Sequence, residues 1–254
     1  MNQPHIHVPY RKLYEYIDII NAERLNLEIY FDSKSLVGTD RFSLLKLKKA
    51  LSYNPSLSFH APFMDLSPGA VDAKIREITI ERFNQVLDIA EILEPKCIVF
   101  HSGYEKWKYA FNVNLWLDHS VITWEKILKR AEKMNIKIVI ENIFEEEPYS
   151  LRLLMEKLPS SYFGVCFDTG HFNLFSKRSL EEWISVLGEY IFEFHLHDNN
   201  GSFDEHLAIC SGSFNFERLF DLIDKKEYVY TIEVHKVDEV FKSLKKFNDL
   251  INLK

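Results

Sequence analysis

The stretch HLHDNNGSFDEH, residues 195–206, holds three histidines and two aspartates in twelve positions, with a glutamate between the last pair. Imidazole nitrogens and carboxylate oxygens are the donors that hold Zn²⁺, Mn²⁺ or Fe²⁺ when no thiolate takes part. The same residue types end a series of short apolar runs. SLSF stops on His60, CIVF on His101, KIVI on Glu141, FGVCF on Asp168, IFEF on His195 and YVYTI on Glu233. Histidine, aspartate and glutamate make up only about one residue in five, so six consecutive hits form a pattern. Two further pairs extend it: FDTGH sets Asp168 and His171 three apart across a turn, and DEH lets Asp204 and His206 share one side of an extended loop. The nine candidate ligands are therefore His60, His101, Glu141, Asp168, His171, His195, Asp204, His206 and Glu233. Carboxylates brought together in a partly dry site repel one another and resist ionisation, and a divalent cation relieves that repulsion.

Other polar residues sit close to these in the sequence. His7 lies on the first apolar run, His197 shares strand parity with His195, and His235 shares it with Glu233. Each is a candidate hydrogen-bond partner of a ligand or contact to substrate. Tyr104 and Trp107 follow His101 and are candidates to flank substrate, whereas Glu145, Glu146 and Glu147 read as a solvated acidic loop.

The elements that must position these residues follow from the apolar pattern. Eight β-rich runs recur, at 6–8, 26–31, 56–59, 97–100, 137–140, 163–167, 191–196 and 228–234. Short continuous apolar runs suit parallel strands buried on both faces. Between them lie segments of helical period. One stripe over 72–93 is Ile75, Ile78, Phe83, Val86, Leu87, Ala90 and Leu93; another over 115–134 is Leu117, Val121, Trp124, Leu128 and Ala131. A third, after the last strand, is Val237, Val240, Phe241, Leu244, Phe247 and Ile251. Eight β–α alternations in 254 residues, without a linker rich in Pro, Gly or Ser, predict one α/β domain spanning 1–254: a single (β/α)₈ TIM barrel with a metal site at the C-terminal mouth of its strands. A doubly wound open sheet is the alternative, but the GxGxxG turn of its dinucleotide-binding form is absent.

Composition narrows the function classes. A net charge of −7, spread along the chain, argues against a protein that coats nucleic acid. The start MNQPHIHVPYRKL lacks a basic segment followed by an apolar run, and no apolar stretch approaches a bilayer span, so a cytoplasmic location without membrane contact is expected. Cys97, Cys166 and Cys210 form no CxxC pair; the first two, in apolar runs, read as buried structural thiols of a reducing compartment.

SFHAP, VFHSG, VIEN, CFDTGH, HLHDNNGSFDEH and TIEVH, in that order, resemble the xylose isomerase-like TIM-barrel superfamily, which contains endonuclease IV and the sugar isomerases and epimerases. The resemblance covers nearly the whole chain and is specific to the superfamily as an ordered set. On the endonuclease IV pattern it implies up to three ions, Zn or Mn with Mg or Fe as alternatives. His60, His101 and Glu141 would hold the first; Glu141, Asp168, His195 and Glu233 the second; His171, Asp204 and His206 the third. On the epimerase pattern it implies one Mn or Mg held by Glu141, Asp168, His195 and Glu233, with Glu141 and Glu233 as a catalytic proton-transfer pair and His171 on the substrate.

Two activities follow. One is hydrolysis of a phosphate ester, of a small phosphorylated molecule or of abasic DNA; the other is isomerisation or epimerisation of a sugar or sugar phosphate. The acidic loop ENIFEEEPYS replaces a glycine-rich stretch of endonuclease IV and disfavours a DNA partner. The nine-ligand set gives hydrolysis the preference. Oligomeric state is not legible.

Overall fold

The computed structural model describes residues 3–224 and 227–252. Its strands are β1 (His5–Pro9), β2 (Asn26–Tyr30), β3 (Leu57–His60), β4 (Cys97–His101), β5 (Lys137–Glu141), β6 (Phe163–Asp168), β7 (Ile191–Leu196) and β8 (Val229–Ile232). They pair in chain order, all parallel, and close into a barrel. The helices are α1 (Leu13–Glu23), α2 (Ser33–Gly38), α3 (Arg41–Ala50), α4 (Ala73–Leu93), α5 (Val113–Met134), α6 (Tyr149–Lys157), α7 (Thr169–Phe175), α8 (Leu180–Leu187), α9 (Phe216–Leu222) and α10 (Val237–Asn252). This is the expected TIM barrel. No helix among the described residues is long and apolar enough to cross a membrane.

Local chemistry sets the helix ends. Asp72 caps α4 by accepting from the Lys74 amide, and Asn112 caps α5 by accepting from the Leu115 amide. Both helices end on a left-handed residue, Glu94 and Asn135. The buried stripe of α4 is Phe83, Val86, Leu87, Ala90 and Leu93, but Ile75 and Ile78, expected on it, are exposed. The first turns of α4 lie beyond the barrel wall, which corrects the longer stripe. In α10, Val240 and Phe247 are buried while Val237 and Phe241 stay partly exposed.

Strand alternation decides what fills the barrel. Leu27, Ile29, Phe59, Ile98, Phe100, Ile138, Ile140, Phe167 and Phe194 pack with the helices in one large apolar core. Residues of the other parity face one another inside, and they are mostly polar: Glu28, Ser58, Glu193, His195 and Thr231 are fully buried. Beside them lies a separate apolar cluster of Cys97, Val99, Val139 and Cys166, with Phe192 and Val229 against it. TIM barrels commonly fill this space with branched apolar layers; here polar residues share it.

A bulge in β7 makes that possible. Val165 pairs with Ile191 but Cys166 pairs with Glu193, so Phe192 is the extra residue. It packs against the apolar cluster, with Lys137 Nζ 3.6 Å from its ring centroid. Next to it Glu193 accepts from Thr231 Oγ1 (2.6 Å), Ser58 Oγ (3.3 Å) and Cys97 Sγ (3.1 Å), while His5 shares a 2.7 Å hydrogen bond with Ser58. Burial, then the charge of Glu28, pushes the Glu193 carboxyl up to about 7. The seam is sparsely paired: β1 matches β8 only at His5↔Thr231 and Ile6↔Ile232, as few as β3 with β4, against five matched pairs with β2.

Gly164 leaves the room that Phe192 occupies. A Cβ there would lie 2.2 Å from Phe192 Cδ2 and 2.5 Å from the Tyr190 carbonyl oxygen. Gly164→Ala is expected to destabilise the barrel by about 1–3 kcal/mol, read as a lower urea midpoint; an unchanged midpoint contradicts this account of the bulge.

Candidate metal centre

Each of the six strand-end residues stands at the C-terminal mouth, and they converge. Glu141 Oε2 lies 3.1 Å from His60 Nε2 and 3.1 Å from His101 Nε2. His195 Nδ1 lies 3.1 Å from Glu233, 3.5 Å from Glu141 and 3.7 Å from Asp168. Ligand atoms of Glu141, Asp168, His195 and Glu233 all fall within 4.8 Å of one another, as do those of His60, His101 and Glu141. The third set also meets. Asp204 Oδ2 is 3.5 Å from His171 Nε2 and 3.1 Å from His206 Nε2. Asp168 does double duty: its carboxylate caps α7 by accepting from the His171 amide at 2.6 Å, which fixes His171 beside it.

Hydrogen-bond accounting shows that these residues fit cations. His60 Nδ1 donates to the Ala61 carbonyl (2.8 Å), His171 Nδ1 to the Asn142 carbonyl (3.0 Å) and His206 Nδ1 to the Glu233 carbonyl (2.9 Å). A carbonyl only accepts, so each ring carries its proton on Nδ1 and, when neutral, turns the bare Nε2 lone pair toward a carboxylate. His195 is reversed: its Nε2 meets Glu28 Oε2 at 3.0 Å and its Nδ1 faces the carboxylates. Lone pairs aimed at carboxylate oxygens are held only by a proton or a metal ion between them. Among the buried atoms without a hydrogen-bond partner are His101 Nε2, His195 Nδ1, Asp204 Oδ1 and Glu233 Oε2, all at this centre.

The electrostatics of the protein's own groups agree. Burial disfavours the charged imidazole of His60, but hydrogen bonding and the charge of Glu141 prevail and raise it to about 9. His206 likewise rises against burial to about 9, through Asp204 and Glu233. Against burial, Asp168, Asp204 and Glu141 raise His171, and Cys166, Glu28 and Glu141 raise His195, whereas burial dominates at His101 and lowers it. Burial opposes ionisation of Glu141 and Glu233, yet the surrounding imidazoles hold both well below the carboxylate range.

The second tier of expected residues divides. His197 is fully buried in the wall of the site, with Nε2 3.0 Å from Asp168 Oδ2 and its ring stacked 4.0 Å from His206. His235 continues that stack at 4.4 Å from His206, and His7 meets Glu28 at 2.8 Å and Glu233 at 3.8 Å. Tyr104 and Trp107 are not brought to the ligands. Tyr104 packs against Trp116, and Trp107 is 74% exposed against Phe111, because the loop after β4 turns outward. The acidic run is not uniformly solvated either: Glu145 is buried, accepting from Ser102 Oγ and the Ile143 amide, and Glu146 pairs with Lys106 at 2.5 Å and Lys177 at 2.9 Å. Sequence reasoning missed Glu28. It orients His195 and His7 from inside the barrel, and its signal was the odd acid within NLEIYF. Burial opposes its ionisation, but His195 and His7 lower it to about 2.

Residues 15–250 match the family model described as xylose isomerase-like TIM barrel. The uncharacterized protein MJ1311 of Methanocaldococcus jannaschii is 30% identical over 242 residues, covering 88% of this chain and 83% of that protein. A solved D-tagatose 3-epimerase-like protein is 26% identical, with a TM-score of 0.82 over 98% of this chain and 97% of its own. Endonuclease IV from Thermus thermophilus is 16% identical with a TM-score of 0.68 over the full length of both chains, a likeness of fold.

Because the ligands must shed protons to bind a cation, zinc binding at pH 7 is expected to release at least the protons of His60 and His206. Apparent affinity should therefore climb as pH rises toward about 9. Calorimetry in buffers of different ionisation enthalpy measures this release; heats independent of buffer contradict the assignment.

Proposed function

We propose a function from the premise that this chain belongs to the xylose isomerase-like TIM barrel family: a divalent-metal-dependent hydrolase acting on a small phosphate ester. The observation that carries the reading is Asp204, set between His171 and His206. It completes a third ligand set beside His60–His101–Glu141 and Glu141–Asp168–His195–Glu233. A proton-transferring epimerase needs only the second of these.

Ions held by these residues would supply Lewis acidity, neutralising phosphoryl oxygens and lowering the pKa of a bound water. The chain's own part is positional. Glu141 touches all three sets or their neighbours, meeting His60, His101, His171 and His195, so it fixes their spacing. A water entering between Glu141 and Glu233 would find carboxylate acceptors on both sides, which orient it and take up its proton as its oxygen bonds to phosphorus; the ester P–O bond breaks and the alcohol leaves as an alkoxide that regains a proton. The stacked imidazoles of His197, His206 and His235 close one wall and keep Asp204 in place. Zinc or manganese suits the nitrogen and oxygen donors, with magnesium or iron as alternatives.

A second reading has its own support. Glu141 and Glu233 flank His195 at 3.5 and 3.1 Å, the arrangement a pair of proton-transferring groups beside one ion requires, and the 26% identical solved neighbour is titled an epimerase-like protein. Abasic DNA stays the less favoured hydrolase substrate. The mouth loop after β5 is acidic, although Lys106 and Lys177 already neutralise Glu146.

Two measurements decide between them. Zinc-loaded protein is expected to release phosphate from small phosphate esters, and Asp204→Ala or His206→Ala to lower metal content and cut turnover by about 10²-fold or more, on the order of one misplaced catalytic ion. Full metal and full activity in either variant refutes the cluster. Solvent deuterium entering a ketose at the carbon beside its carbonyl, with no phosphate release, transfers the assignment to epimerisation.

A further inference from the structure

A cavity of about 370 Å³ opens directly off the candidate metal centre, where β1 and β8 stop pairing. His7, His60, His206 and Glu233 form its inner end. Its walls run outward between α1 and α10, and Tyr30 and Phe63 stand over His60 at ring separations of 5.4 and 5.8 Å. That volume falls within the range of small-molecule sites. It admits a metabolite, not a duplex.

The charges lining the cavity run against those of the chain. Among the described residues Glu233 is its only carboxylate, and Glu233 belongs to the ligand set. Two lysines line it, Lys12 just after β1 and Lys236 just before α10, both exposed to solvent. Among the described residues neither has a carboxylate within ion-pair distance. The neighbouring Arg11, by contrast, is bound to Asp32 at 3.2 Å. In a chain of net charge −7, with more acids than bases, two lysines that no described carboxylate pairs with make this cavity locally rich in positive charge. Ions at the centre would take up the charge of Glu233 and strengthen that field.

We infer that the substrate carries an anionic group, a phosphate or a carboxylate, remote from the reacting one, and that Lys12 and Lys236 hold it in the seam cavity while the reacting group lies at the ligand cluster. This rests on the proposed function and narrows its substrate class to small molecules with two separate anionic groups. The two aromatic rings line the path between the ends, and the cavity's length sets the spacing between the two charged groups. Neutral sugars lack the remote charge and gain nothing from the lysines.

The test compares zinc-loaded full-length protein with Lys12→Met, Lys236→Met and the double variant by titration calorimetry. The probes are methyl phosphate, with one charged group, and phosphoglycolate and 1,3-propanediol bisphosphate, each with two. In the wild type the two-headed probes should bind about tenfold more tightly than methyl phosphate, the worth of one charge-assisted contact. The better of the two identifies the remote group as carboxylate or phosphate. The advantage should shrink in each single variant and vanish in the double, and it should fall with added salt. An advantage missing in the wild type, or surviving in the double variant, overturns the inference. Zinc stoichiometry on the same samples reports on the cluster alone. A full complement of ions without an anion advantage refutes the lysine subsite and spares the hydrolase reading, whereas a missing complement refutes the cluster.

Discussion

Four carboxylates, Glu141, Asp168, Asp204 and Glu233, are drawn to one mouth, with Glu28 directly beneath them. In a dry interior such a group is held together only by positive charge placed between its members. Among the described residues no lysine or arginine is ion-paired with these carboxylates. The chain supplies imidazoles, and backbone carbonyls hold three of them with the wrong nitrogen protonated for a simple hydrogen bond to a carboxylate. The rest of the barrel is arranged around that unresolved charge. Strand ends deliver the donors, Glu28 steers His195 from below, and Tyr30 and Phe63 pack their rings against His60.

That arrangement inverts the usual division of a TIM barrel. The strands' apolar residues face the helices and form the main core, while the enclosed space holds polar residues beside a small apolar cluster. Stability therefore comes from the layer between strands and helices. The interior is left to electrostatics, with the buried carboxylates of Glu28 and Glu193 given hydroxyl, thiol or imidazole neighbours. The bulge at Phe192 separates the two regimes, placing an aromatic plug and a buried acid on consecutive residues.

Much of this was legible in the sequence, for definite reasons. A strand end is marked by the switch from apolar to polar, so His60, His101, Glu141, Asp168 and His195 announced both their elements and their location. Glu233 falls one residue past β8 and is still presented the same way. The inner face was harder to read. Glu28, Ser58 and Glu193 sit within runs whose outward residues dominate the apolar count, so period-two alternation was hidden in what reads as continuous hydrophobicity. Loop side chains were least legible. Tyr104 and Trp107 follow a ligand in sequence, but they pack on Trp116 and Phe111, and nothing local marks Lys12 and Lys236 as lining one cavity. Glu145 shows the same limit, since a single buried acid within an acidic run is chosen by a partner, Ser102, forty-three positions away.

The seam has a further consequence, for the order in which the molecule is assembled. Residues 5 and 231 are strand neighbours. Closing so long a loop costs chain entropy, and every other strand pair forms across a shorter stretch of sequence. Joining β1 to β8 thus carries the largest closure cost of any strand pair, and the two meet over only two residue pairs. Glu233 directly follows that joint, reaching His7 on one side and His195 on the other. A cation gripping Glu233 would act as a clasp on the ring, so part of its binding energy would appear as cohesion between the first strand and the last. Chemistry and closure would then be one equilibrium, and the protein's mechanical weak point would be the place where its ligand enters.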